Sequence, residues 1–100
     1  MKEFKLGKIN VMPDVEKKMK LDDRFKRFVQ MSLGKYSNCS WGNMSRDGKN
    51  KNNEAIEKGE EVVGYYTFGK EKLRIVTTAD RSSTTIMFPE QNDISNSKEG

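Results

Sequence analysis

Residues 72–90 read KLRIVTTADRSSTTIMFPE. Two β-rich runs flank a short polar turn. Leu73, Ile75 and Thr77 alternate with Lys72, Arg74 and Val76, the period-two pattern of a half-buried antiparallel strand. The chain turns over 79–83, and 84–88 supplies another strand with Ile86 and Phe88 on one face, which Pro89 stops. Just upstream, 62–68 holds Val62, Val63, Tyr65, Tyr66, Thr67 and Phe68, all β-formers. Gly69-Lys70 makes a tight turn from that run into 72–78. Three consecutive strands joined by short turns decide the fold class.

Working outward, 21–36 is the clearest helix. Phe25, Phe28, Val29, Leu33 and Tyr36 fall on one face, Met31 lies off that stripe, and Arg24, Lys26 and Arg27 decorate the other sides. Asp22 or Asp23 supplies the cap and places negative charge at the positive end of the helix dipole. Residues 38–47 are rich in turn-formers and read as a loop, with Trp41 in its middle. That Trp is either a plug closing the core or an exposed interface anchor; a small core needs the area a Trp buries, which favours the plug. Ser45 caps a second, mostly polar helix to about residue 58, and Gly59 stops it. At the N-terminus, Phe4, Leu6, Ile9 and Val11 suit a strand over 4–11 bent near Gly7, and Pro13-Asp14 opens a short helical turn.

These elements predict an α+β domain. Helix 22–36 packs across a small, mostly antiparallel sheet of 62–68, 72–78 and 84–88, with 4–11 as a candidate fourth strand. The expected core is Phe25, Phe28, Val29, Leu33, Val63, Tyr65, Leu73, Ile75, Ile86 and Phe88. One domain is expected over residues 1–90, with 91–100 a flexible, polar tail.

Composition removes whole classes of chemistry. The chain has 100 residues, no histidine and one cysteine. Ser-His-Asp and Cys-His arrangements are impossible, and a structural zinc site lacks its ligands. Cys39 has no neighbouring base to activate it and reads as a small semi-buried residue. Asp22-Asp23 is accounted for by the helix cap, and Glu60-Glu61 point to opposite sides if extended. No enzyme, metal or cofactor is therefore expected. No apolar run reaches the roughly 20 residues a membrane span needs, and the N-terminus lacks the apolar core of a signal peptide. With a lone cysteine, this points to the cytoplasm.

Charge is uneven. Residues 1–52 carry a net +7 and residues 53–100 a net −3. Such polarity fits a lysine-rich surface or a charged partner. Tyr65, Tyr66 and Phe68 interleave with Lys70, Lys72 and Arg74 on adjacent strands, as in platforms for single-stranded nucleic acid, although no ribonucleoprotein consensus is present. In the turn, Asp80 shapes the backbone, while Arg81 pairs with it or projects to a phosphate or carboxylate. The candidate partner contacts are Arg24, Arg27, Trp41 and Arg81.

Trp41-Gly42, the polar helix ending at Gly59, Tyr65 and the hairpin with Ile75, Thr77, Asp80, Arg81, Ser82, Thr84, Thr85, Ile86, Phe88 and Pro89 resemble a group of small plasmid-related proteins from plasmids and phages of Gram-positive bacteria. Phe25, Phe28 and Val29 match the helix face of that group, and the likeness covers roughly residues 8–90. The group is more acidic over 43–53, where this chain has Arg46, Lys49 and Lys51, which argues against a DNA-mimicking helix. The resemblance implies a mobile-element context and no reaction. By association it suggests a counter-defence protein whose partner is a bacterial defence protein or ribonucleoprotein complex, a CRISPR effector in particular. The alternative is a small basic nucleic-acid-binding or regulatory protein of a plasmid or phage.

Overall fold

The computed structural model describes residues 4–42 and 45–89. The fold is α+β. In chain order it runs β1 (Lys8–Val11), α1 (Pro13–Leu21), α2 (Asp23–Ser37), α3 (Arg46–Lys58), β2 (Val62–Phe68), β3 (Glu71–Thr77) and β4 (Ser83–Met87). The sheet order is β1-β4-β3-β2. β2, β3 and β4 form the antiparallel meander, and β1 joins β4 in parallel. The expected tail, 91–100, lies outside the described residues. Among those described, no helix is long and apolar enough to cross a membrane.

Local chemistry sets the helix ends. Asp22 caps α2, its carboxylate accepting from Arg24 N at 3.0 Å and Phe25 N at 3.2 Å. Ser45 caps α3 through Gly48 N, and Gly59 ends that helix in the left-handed conformation. The expected turn at Pro13 extends to a full nine-residue helix. Only Val15 of α1 is buried, too sparse a pattern to announce a helix.

The helices cover one side of the sheet. Phe25, Phe28 and Val29 meet Leu73, Ile75 and Ile86 in the core, and Leu33 and Phe88 pack partly buried against it. Each large side chain fully buried there is worth about 1.5–3 kcal/mol. Two expected core residues are misplaced. Val62, Gly64 and Tyr66 face the helices, whereas Val63 and Tyr65 occupy the opposite parity, with Tyr65 exposed. The run 62–68 is apolar on both parities, so alternation cannot choose. Tyr36 makes the choice. Its hydroxyl donates to Val62 O at 2.9 Å. Its ring fills the space where a Cβ on Gly64 would sit, 2.7 Å from a ring carbon.

Tyr36 also begins a buried polar chain. Its oxygen lies 2.8 Å from Thr77 Oγ1, which lies 2.8 Å from Thr84 Oγ1, which donates to Leu6 O at 2.6 Å. With Tyr36 and Thr84 donating to carbonyls, the Thr77 proton serves only one of its two neighbours at a time. Burial pushes the Tyr36 phenol up to about 12.

The expected strand over 4–11 shortens to four residues. Gly7 adopts φ +66°, and a Cβ there would overlap the backbone of Arg81 and Ser82. The chain bends at this point, and Lys8 N then donates to Ser82 O at 3.0 Å, which starts β1 alongside β4. The free edge of β2 is also closed. The Asn52 side chain donates to Val63 O at 2.6 Å and accepts from Val63 N at 3.3 Å, standing in for a neighbouring strand. One step along, Gly42 forms a parallel bridge with Tyr65.

Candidate functional site: a basic-rimmed groove between α2 and β2

Arg24, Arg27, Met31 and Lys35 recur at helical spacing and form a ridge along α2. Phe28 and Ser32 lie beneath that ridge. Tyr66, Thr67 and Phe68 of β2, with Gly42, make the opposite wall. Between the walls runs a groove of about 390 Å³. That volume is in the range of small-ligand and side-chain pockets, about 300–1,000 Å³.

The floor is apolar and the rim cationic. Met31 is 62% exposed and Phe68 59%, although both are large and hydrophobic. Phe68 is held in place by stacking on Phe28, centroids 5.9 Å apart with a 28° interplanar angle. Phe28 in turn meets Phe25 edge-on at 6.0 Å, and Phe25 meets Phe88 at 5.7 Å. The exposed ring is thus the outer end of an aromatic row rooted in the core. Arg24, Arg27 and Lys35 are exposed, and among the described residues no carboxylate lines the groove.

A second groove, about 420 Å³, lies between α3 and the start of β2, with Glu54, Glu60, Glu61 and Lys51 around it. The two cavities carry opposite charge, in line with the polarity of the sequence.

Of the candidate contacts, Arg24 and Arg27 reach this groove and the other two do not. Trp41 is 3% exposed. Its indole N–H donates to Asn53 Oδ1 at 3.1 Å, and its ring packs against Tyr36 and Phe4 at 5.6 and 5.9 Å. It is the plug, and it offers no surface to a partner. Arg81 turns inward. Its guanidinium donates to Glu60 O at 2.7 Å, Thr78 O at 3.0 Å and Ala55 O at 3.1 Å, bracketing the end of α3 to the β3–β4 turn.

Asp80 builds the same turn. It accepts from Thr78 Oγ1 at 2.8 Å and Ser82 N at 3.0 Å. These bonds hold its carboxyl at about 2, Ser82 and Thr78 being the main causes. The β3–β4 turn is therefore a structural knot that ties the start of β1 and the end of α3 to the sheet. Sequence reading also missed Met31, Lys35 and Phe68 as groove residues. Met31 falling off the apolar stripe was the available signal.

Among the described residues, no group of three or more His, Cys, Asp or Glu is placed to hold a metal ion. Cys39 is half-buried with φ +64°. No family model, curated protein or solved structure matches the chain.

Proposed function

We propose that this is a non-enzymatic binding protein that docks on a bacterial defence complex through the α2–β2 groove. By occupying that surface it blocks assembly or nucleic-acid access. The observation that carries the reading is the pairing of two exposed apolar side chains, Met31 and Phe68, with Arg24, Arg27 and Lys35, with no carboxylate among the described residues lining the groove. Contact patches are enriched in aromatic residues, Met and Arg, and their energy concentrates in a few such anchors. Charge complementarity favours as occupant a protein surface on which acidic side chains surround an apolar one.

The choice of an RNA-guided nuclease as the target rests on the resemblance to small plasmid and phage proteins. The groove supports the binding role. The test is a cleavage assay with purified nuclease, guide and target, with complex formation followed by size-exclusion chromatography. The reading expects a stoichiometric complex and loss of cleavage. No complex and undiminished cleavage across several CRISPR types would end it.

A further inference from the structure

A different surface remains on the opposite side of the sheet. The helices cover only the parity of Val62, Tyr66, Leu73, Ile75, Thr77, Thr84 and Ile86. The other parity forms an open face. Strand register sets Tyr65, Arg74 and Met87 in one row across β2, β3 and β4. Val63, Val76, Thr85 and Asn10 make the adjacent row. Thr67 and Lys72 pair beyond Tyr65 and Arg74.

Three features of this face point to one ligand class. First, its strand positions hold Lys8, Lys72 and Arg74 and no carboxylate. Second, Arg74 is held and yet under-used. Its guanidinium carbon sits 5.9 Å from the Tyr65 ring centre, and its Nη1 meets the Met87 sulfur at 3.8 Å. Its Nε is enclosed and has no hydrogen-bond partner among the described residues. A guanidinium held by its enclosed Nε side beside an aromatic ring, with its terminal Nη groups meeting only a weak sulfur acceptor among the described residues, is suited to an anionic group next to a planar one. Third, Tyr65 is 38% exposed, with Val63 and Thr67 as its same-face neighbours along β2 and Arg74 opposite it on β3.

We propose that this open sheet face, centred on Tyr65 and Arg74 with Lys72 beside them, binds single-stranded nucleic acid. A base stacks on Tyr65, and the neighbouring phosphate takes Arg74 and Lys72. Stacking on a flat sheet requires an unpaired base, which selects single strands over duplex. A peptide is the poorer fit. The β2 edge, where it would add as a strand, is occupied by Asn52 and Gly42, and the face offers flat area where a peptide anchor needs a pocket. The site is independent of the α2–β2 groove, and neither reading requires the other.

The experiment is fluorescence anisotropy of the full chain with labelled 12-nucleotide single-stranded RNA and DNA, against the same sequence as duplex, over a salt series. Binding of single strands is expected to exceed that of duplex. Tyr65→Leu, which keeps apolar bulk, weakens binding about tenfold, and Tyr65→Phe retains it. Arg74→Gln lowers the salt slope by about one. Arg27→Glu, in the groove on the other side, changes affinity less than about twofold, as expected for a distant site. The proposal is overturned if single strands do not bind at low salt, or if duplex binds equally well. It is also overturned if a poly-glutamate competitor displaces the strand as readily as unlabelled nucleic acid, or if Arg27→Glu abolishes binding while Tyr65→Leu leaves it intact.

Discussion

Replacing Arg81 separates a structural role from a contact role. The side chain donates to Glu60 O at 2.7 Å, Thr78 O at 3.0 Å and Ala55 O at 3.1 Å, and its guanidinium carbon lies 5.6 Å from the Phe4 ring centre. A hydrogen bond to a charged group contributes about 1.5–3 kcal/mol when well shielded. Two facts lower the total. The bond to Glu60 is exposed to water. Ala55 O keeps Glu60 N at 2.8 Å, and Thr78 O keeps Arg81 N at 2.9 Å, so neither carbonyl is orphaned. The net loss for Arg81→Ala is therefore about 2 kcal/mol, near one well-made charged bond.

Backbone adds a second, opposite effect. Arg81 has φ +62°. A left-handed residue other than glycine costs roughly 1–2 kcal/mol, so Arg81→Gly recovers about 1 kcal/mol of what Arg81→Ala loses. At about 4–8 °C per kcal/mol for a domain of this size, Arg81→Ala should melt about 10 °C below the parent and Arg81→Gly about halfway between. Thermal melts followed by circular dichroism, with urea titration as a check, read both values. If Arg81→Ala melts within about 2 °C of the parent, below the smallest shift the bracket allows, the bracket is wrong. If Arg81→Gly melts lower than Arg81→Ala, the backbone reasoning is wrong.

The same geometry sets the outcome of other substitutions. Gly7→Ala should cost more than about 2 kcal/mol, because rigid backbone of Arg81 and Ser82 occupies the Cβ position; Gly69→Ala, with nothing within 4 Å of its Cβ, should cost only the left-handed penalty of about 1 kcal/mol in the same melts. Tyr36→Phe should cost about 2 kcal/mol by leaving Val62 O without its buried donor. Because burial raises the Tyr36 phenol to about 12, its neutral form stabilises the fold fully below its ordinary pH of 10, and that contribution is lost as pH rises from 10 through 12; a melting series over that window shows a fall in the parent that Tyr36→Phe reduces. Asp80, held at about 2, contributes above its unfolded value of about 3.9 and loses that contribution as pH falls toward 2; Asp80→Asn should flatten this acid limb.

The sequence was most legible where a residue type has one physical use. Ser45 and Gly59 marked the ends of α3, an aspartate marked the start of α2, and the Phe25–Phe28–Val29 stripe showed which side of α2 turns inward. It was least legible where two uses compete. The run 62–68 is apolar on both parities, and its register depends on Tyr36, 26 residues away. The parallel pairing of β1 with β4 depends on Gly7 meeting Ser82, a contact between the two ends of the chain that local pattern does not encode. The groove was half visible. Arg24 and Arg27 were identified from charge alone, while the exposure of Phe68 follows from its stacking on Phe28 across elements. Arg81 and Trp41 each had two uses open in the sequence, an outward contact or a structural role, and both take the structural one: Trp41 plugs the core, as its size favours, and Arg81 bonds backbone carbonyls.

The proposed role is to cover a partner's surface with the groove of Arg24, Arg27, Met31, Lys35 and Phe68. Its most direct test is the guide-dependent cleavage assay run with the parent, Arg27→Glu and Phe68→Ser, each confirmed folded by its melt. The parent should suppress cleavage, and each variant should need at least about tenfold more protein for the same effect, as for loss of an anchor residue. Suppression by both variants at the parent's concentration would contradict the claim, as would a parent that leaves cleavage untouched.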